Sequence, residues 1–265
     1  MVRTIHHDGV TEFRFSSLAS RAIGYAVSAF LTDDGVLVDT AFPGARRDLV
    51  RALRGRMPRG VLVTHHHEDH AGNVSHLAHA GVPVCLAPAT EAALRRFGPM
   101  MLYRRFTWRA MGPLTAPITP FADDGYALVA TPGHTPDHHV VWDAATRTLF
   151  AGDLFLGVKV RISHHDEDPY ALVESLERAA AMAPARLFCA HRGLVPDGVA
   201  ALRAKAAWHR GLLEEIATRL RAGHDDARIL RELLGGESAT GIASRGEYSR
   251  ASTIAAVRRR IGAAA

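Results

Sequence analysis

Six consecutive residues, His65-His66-His67-Glu68-Asp69-His70, are all of metal-ligand type and follow closely on the apolar run Gly60-Val61-Leu62-Val63. A continuous apolar run of this kind reads as a buried strand, and a helix is expected to follow over 71–81. The ligand-type residues therefore occupy the place where a strand hands over to a helix, from which side chains project off a rigid scaffold into a crevice. In an extended segment residues two apart point the same way, so His65 and His67 can chelate one ion together. Asp69 and His70, after the chain turns, can face a second. Zinc takes imidazole nitrogen and carboxylate oxygen at about 2.0–2.2 Å, and its catalytic sites leave a position open for water. The competing reading is a run of solvent-exposed loop histidines.

Three further groups weaken that competing reading. His134 stands in Thr131-Pro132-Gly133-His134-Thr135-Pro136 just after an apolar run, Asp153 ends Ala151-Gly152-Asp153, and His191 follows Leu187-Phe188-Cys189-Ala190. Ligand-type residues thus recur at four strand ends and add up to five histidines and two aspartates, the inventory of a two-metal site. The chain holds 16 histidines in all, and those outside these motifs, His66 among them, read as surface or packing residues. His164 and His165 follow the Asp153 loop closely enough to line the site, although an ordinary loop is the preferred reading.

Around these motifs the pattern alternates. Residues 26–39 read as a hairpin about Asp33-Asp34-Gly35, 45–56 as a helix, 82–87 as a strand, 126–133, 139–144 and 148–153 as consecutive strands, and 171–182 then 185–191 as helix and strand. Residues 97–120 are apolar, aromatic and proline-rich without a clear period, an insert suited to wall a pocket. From Val199 onward the pattern is helical only, near 199–221, 225–234 and 249–261, which divides the chain into a catalytic domain over 1–198 and a helical extension over 199–265. That extension holds 12 basic and 7 acidic residues and so carries the whole +5 formal charge of the chain. An Arg- and Ala-rich composition accounts for that charge without an anionic partner. No stretch approaches the roughly 20 apolar residues of a membrane span, the N-terminal segment has no apolar run of signal-peptide length, and two cysteines exclude a disulfide framework. A cytoplasmic location is the expectation.

The segments HHHEDHAG, TPGHTPDH, FAGD and CAHRG, in this order and spacing, resemble the motif pattern of the metallo-β-lactamase fold hydrolases. Asp39 in VLVDTAFPG matches that family's leading aspartate, usually structural and close to the metals. The resemblance covers roughly residues 23–195 and implies an α/β architecture, a four-layer αβ/βα sandwich with the metals at one edge between two sheets. It implies that His65, His67 and His134 bind one ion, that Asp69, His70 and His191 bind a second, and that Asp153 bridges them. Retention of both His70 and Asp153 argues against the true β-lactamases, and His67 argues against the redox diiron branch, which has Glu there. Asp137 replaces a glycine common among hydrolytic relatives, and His138 reads as a support for a ligand. The tail resembles the short winged-helix-like extension of a glyoxalase II- and lactonase-like branch.

What the resemblance implies is a dinuclear zinc hydrolase, with iron or manganese as alternative metals, that uses a metal-bridging hydroxide to cleave a small ester, thioester or lactone. Asp69 would both bind metal and take up a proton, and Tyr248 is a lesser candidate oxyanion donor. A metal-dependent endoribonuclease or phosphodiesterase and a mononuclear iron persulfide dioxygenase are the alternatives. A small-molecule substrate is favoured over nucleic acid, because most tail arginines are interspersed with Glu and Asp. The oligomeric state stays open.

Overall fold

The computed structural model describes residues 1–54 and 57–263. Six strands form the first sheet in the order of the chain: β1 (Val2–His7), β2 (Val10–Phe15), β3 (Val27–Thr32), β4 (Val36–Val38), β5 (Gly60–Leu62) and β6 (Val84–Cys85). The first four are antiparallel, and β4, β5 and β6 run parallel. The expected hairpin at 26–39 is present, with Phe30 opposite Val38 across the Asp-Asp-Gly turn. The second sheet holds β7 (Tyr126–Ala130), β8 (His139–Asp143), β9 (Thr148–Phe150), β11 (Arg186–Cys189) and β12 (Gly193–Val195) in the order β12-β11-β9-β8-β7. A separate strand pair joins β10 (Ser163–His164) to β13 (Tyr248–Ser249).

The period of two along the strands explains why both sheets bury their faces. Val36, Val38 and Leu62 point one way, into a cluster with Phe30 and with Val141, Phe150 and Phe188 of the second sheet. The alternate residues Leu37, Val61 and Val63 point the other way. There they meet Leu49 of α2 (Arg46–Ala52), Val74 and Leu77 of α4 (Val74–His79) and Leu94 of α5 (Pro88–Arg95). The remaining helices of this part are α1 (Leu18–Ala22), α3 (Glu68–Ala71) and α6 (Leu102–Trp108). Phe150 and Phe188 stack with centroids 5.4 Å apart, and each phenylalanine fully buried in this way contributes about 1.5–3 kcal/mol.

Two expectations change here. The helix anticipated over 71–81 is confined to α4, Val74–His79, and is separated from a preceding short helix α3, Glu68–Ala71, because Asn73 leaves helical geometry to donate from Nδ2 to the carbonyls of Thr40 and Phe42 at 2.7 and 3.0 Å. A Cβ on Gly72 would lie 2.4–2.6 Å from Glu68 O, Pro43 Cδ and Ala41 O, so only glycine permits this close approach. The helix anticipated over 45–56 ends at Ala52, and residues 55 and 56 lie outside those described.

The chain divides into two compact units, one of Met1–Ala130, Asp137–Asp153 and Pro184–Pro196, the other of Thr131–Pro136, Leu154–Ala183 and Asp197–Ala265. The second is built from α7 (Pro169–Ala181), α8 (Gly198–Arg221), α9 (Asp226–Leu234), α10 (Ala239–Ala243) and α11 (Ala251–Ala263) around Val173, Leu213, Ile216, Ile229, Ile254 and Val257. Asp225 and Ser238 cap α9 and α10. The tail is not helical only. β13 interrupts it, since Ser249 and Tyr248 pair in register with Ser163 and His164. Among the described residues no helix is long and apolar enough to cross a membrane.

Candidate metal centre

The candidate ligands of the first unit leave the C-terminal ends of parallel strands. His65, His67, Asp69 and His70 follow β5, whose parallel neighbour β4 delivers Asp39. Asp153 follows β9 and His191 follows β11, which is parallel to β9. Ligand atoms of His65, His67 and Asp153 lie within 4.8 Å of one another, as do those of Asp69, His70 and His191, and all six residues are buried. Between His70 Nε2 and Asp69 the gap is 4.0 Å, and between His191 Nε2 and Asp69 it is 3.7 Å. Both nitrogens approach Asp153 Oδ1, at 3.3 and 3.0 Å. The buried-run reading of the motif therefore prevails over that of exposed loop histidines.

The opposite nitrogen of each ring is held by a hydrogen-bond acceptor, which fixes the tautomer. His70 Nδ1 donates to Asp39 Oδ2 at 2.8 Å. His191 Nδ1 donates to the carbonyl of Ala26 at 2.7 Å. The Thr64 hydroxyl, engaged with Asp39 at 3.0 Å, accepts from His65 Nδ1 at 3.0 Å. In each ring the lone pair is thereby left on Nε2. His70 Nε2 and His191 Nε2 are shielded from solvent and make no hydrogen bond of sound geometry. A lone pair aimed at a carboxylate oxygen is repulsive unless a proton or a cation stands between them. These two orphaned atoms, the carboxylates around them and the imidazole–carboxylate donor set fit a divalent transition ion.

Electrostatics agree with the geometry. Burial by itself would lower the His70 pKa, yet the carboxylates of Asp153, Asp39 and Asp69 outweigh it and hold the imidazole well above its ordinary value. Burial would raise the Asp153 carboxyl, but the charges of His191 and His70 hold it well below the usual carboxylate range. The loop thus attracts positive charge.

His134 belongs to the second unit, where it is buried and Nδ1 donates to Glu167 Oε1 at 2.9 Å, again leaving Nε2 for another partner. A Cβ on Gly133, at φ 139°, would lie 2.4 Å from the Leu172 backbone, so the turn before His134 demands glycine. His138 Nε2 accepts the Asp153 amide at 3.1 Å, as its expected supporting place suggests. Tyr248 lies on β13 with its ring 5.1 Å from that of His164, in the second unit.

Several supporting contacts escape sequence reasoning. Asp137, the residue in the glycine position, accepts from the His66 amide at 3.0 Å and pairs with His66 Nδ1 at 2.7 Å, tying the ligand segment to the start of β8. Of the two readings of His66, surface or packing, the packing one holds, since it braces the ligand segment against Asp137. Glu68, 1% exposed, receives both ends of the Arg104 guanidinium from α6, one of them at 2.7 Å. The Tyr25 ring lies 4.4 Å from that of His191. Only Asp137 had a signal, its departure from the motif.

Comparison with known proteins is consistent with this geometry. Residues 24–191 match the pattern of the Metallo-beta-lactamase superfamily. A hydroxyacylglutathione hydrolase of Acidiphilium cryptum is 31% identical over 223 residues, 77% of this chain and 81% of that protein. One from Pseudomonas savastanoi is 33% identical over 135 residues, 49% of this chain and 46% of that protein, so this match spans about half of each. Among solved structures, a metallo-beta-lactamase family protein from Thermus thermophilus superposes with TM-score 0.65 at 19% identity, over 95% of this chain and 92% of that one. A metallo-beta-lactamase from Pontibacter korlensis superposes with TM-score 0.61 at 15% identity, over 79% and 99%. At such identities the likeness is one of fold, the αβ/βα sandwich expected from the motifs, here with C-terminal helices. From the match over 24–191 and the Acidiphilium relative together, the chain belongs to the metallo-beta-lactamase superfamily.

Proposed function

We propose that this protein is a metal-dependent hydrolase that cleaves a small-molecule ester, thioester or lactone with two divalent ions, zinc by preference. The observation that carries the reading is the convergence of His70 Nε2 and His191 Nε2 on Asp153, with each Nδ1 tied to an acceptor. Asp69, His70 and His191 are assigned to one ion, His65, His67 and His134 to the other, and Asp153 to both. Such ions, when bound, supply Lewis acidity toward a carbonyl oxygen and bring the pKa of a water toward neutrality. The chain's own part is orientation and proton handling. Asp39 and Thr64 fix the rings of His70 and His65, and His138 holds the backbone of Asp153. Asp69, nearly buried beside His70 and His191, is placed to take up a proton at its carboxylate. The Tyr25 ring screens one side of His191 from water.

Relatives named hydroxyacylglutathione hydrolase favour an acyl-thiol ester within this class. A small substrate is also favoured over nucleic acid by the tail's charges, many of which are met internally. Arg219 pairs with Glu215 and Glu232, Arg228 with Glu232, and Arg258 with Asp226, while Arg260 lies 4.3 Å over the Tyr170 ring. Metal quantitation on the purified protein, paired with a panel of thioesters, lactones and bis-p-nitrophenyl phosphate, tests the reading. Two ions per chain and turnover of a carboxylic ester or thioester are expected. Full activity in metal-free protein overturns it, as does a single iron per chain or turnover confined to the phosphodiester.

A further inference from the structure

Exposed apolar side chains are ordinary where they are scattered, whereas a group gathered in one place marks a binding surface. In the first unit they are gathered. The four most exposed large apolar side chains among the described residues are Leu18, Phe106, Leu102 and Ile23, at 73–86%. Leu102 and Phe106 stand four residues apart on α6 and so share one face. Leu18 begins α1, Ile23 ends it, and α1 packs against α6. The opposite face of α6 is anchored. Arg104 Nε donates to Glu68 Oε1 at 2.7 Å, and the Trp108 ring lies 4.8 Å from that of Phe42. The outward side chains are therefore presented by a fixed helix.

Positive charge is gathered with them. Residues 92–122 contain five arginines, no lysine and no acidic residue, and residues 16–32 contain Arg21 as their one charged side chain. Arg95 pairs with Glu91 and Arg104 with Glu68. Arg21, Arg96, Arg105 and Arg109 are exposed and have no carboxylate partner among the described residues. Projecting aliphatic and aromatic side chains set among arginines suit an anionic lipid bilayer, where the apolar groups enter the acyl boundary and the guanidinium groups meet phosphate headgroups. A second copy of the chain suits the face less well, since a twofold contact through it would set the same arginines against each other. A protein partner needs a matching shape at the core of the contact. These side chains stand out from the surface instead of lining a groove, and a fluid acyl layer receives them without such a match.

We propose that α1 and α6 form a peripheral docking surface for an anionic membrane, with the apolar side chains inserted and the arginines on the headgroups. The contact is superficial and reversible and involves no spanning helix. The test mixes the full-length protein with sedimentable vesicles of phosphatidylcholine, alone or with an equal share of phosphatidylglycerol, at about 0.1 M and about 0.5 M salt. Wild-type protein is expected to sediment with the anionic vesicles at the lower salt and to be largely released at the higher. Leu102→Ser/Phe106→Ser should reduce that partitioning at least about tenfold. Arg96→Gln/Arg105→Gln should reduce it by about 10–30-fold at the lower salt and far less at the higher. All four side chains are exposed, so both variants should keep the wild-type circular dichroism. Absence of sedimentation with anionic vesicles overturns the proposal. So does partitioning that is equal in wild type and both variants, which would assign the binding to the basic tail. Sedimentation equilibrium without lipid supplies the remaining outcome. A dimer that Leu102→Ser/Phe106→Ser dissociates, in a protein indifferent to vesicles, would give the face to a second copy instead.

Discussion

His70 on α3, which follows β5, and His209 on α8 are both buried, at 0% and 7% exposure, yet they depart from the ordinary histidine pKa in opposite directions. Burial disfavours the imidazolium in each case. Around His70 three carboxylates outweigh that cost, and the pKa is raised well above its ordinary value. Around His209 no such carboxylates stand among the described residues. Burial, helped by the charge of Lys205 one turn away, lowers its pKa to about 3, and among the described residues neither ring nitrogen has a hydrogen-bond partner. Depth in the protein is therefore no guide to function. What separates a cation site from a core histidine is the charge placed around it, and each region can be perturbed on that axis.

The largest effect is expected at Asp153. Asp153→Ala removes the carboxylate that His70 Nε2 and His191 Nε2 both approach, and it should abolish metal retention and hydrolysis together. A variant that keeps its full metal content and rate would show that the loop does not act as a cation trap. Next comes the buried charge beside the loop. Arg104→Met leaves the Glu68 carboxylate buried without its guanidinium, a loss of about 3–5 kcal/mol in unfolding free energy by denaturant titration. Adding Glu68→Gln should restore most of it. Should the single and double variants unfold alike, the Arg104 contact is not what neutralises this loop.

The sequence made one side of this contrast legible and hid the other. Each candidate ligand stood at the end of an apolar run, so strand ends could be read from hydrophobic continuity and the ligand types from the residues themselves. The carboxylates around His70 were legible for the same reason, since Asp39, Asp69 and Asp153 all fall at or near such ends. Contacts made across long separations left no trace. Glu68 meets Arg104 from an insert without a period, and Tyr25 meets His191 across most of the chain. Two-residue strands such as β10 and β13 are too short for any period, so the tail read as helices alone. The β1–β2 hairpin does carry a signal in Asp8-Gly9, with Gly9 at φ 71°, but β1 is half exposed and lacks an apolar run. His209 falls outside every motif and so reads only as a surface or packing residue; its burial inside α8 without a carboxylate partner, among the described residues, emerges only when the helix is packed.

Asp39→Asn probes the orientation of His70 with the backbone preserved. Asp39 adopts φ 59°, a left-handed conformation that asparagine also tolerates. The amide still occupies the space but no longer offers His70 Nδ1 a charged acceptor, and metal affinity should fall by about 10–100-fold. Competition with a chromophoric chelator measures it. Unchanged affinity would mean that the tautomer of His70 is fixed without Asp39.

The smallest expected effect is at the other histidine, and its sign follows from linkage. The unfolded chain protonates His209 near pH 6.5, whereas the folded protein resists protonation until about pH 3. Above pH 6.5 the residue is neutral in both states and contributes no pH dependence. As the pH falls below 6.5 the unfolded state gains a proton that the folded state cannot bind, so stability declines. At pH 5 that decline amounts to about 2 kcal/mol. His209→Leu removes the titrating group and the two unpartnered ring nitrogens, and the surrounding core of Leu212, Leu213 and Ile216 on the same helix accepts an aliphatic side chain. Urea unfolding of wild type and variant at pH 7 and pH 5 should show the variant's advantage growing by about 2 kcal/mol between the two. Other histidines cancel in that difference, because both proteins contain them. An advantage that is the same at both pH values would mean that His209 finds a stabilising partner when charged, and the distinction between the two buried histidines would then be one of degree.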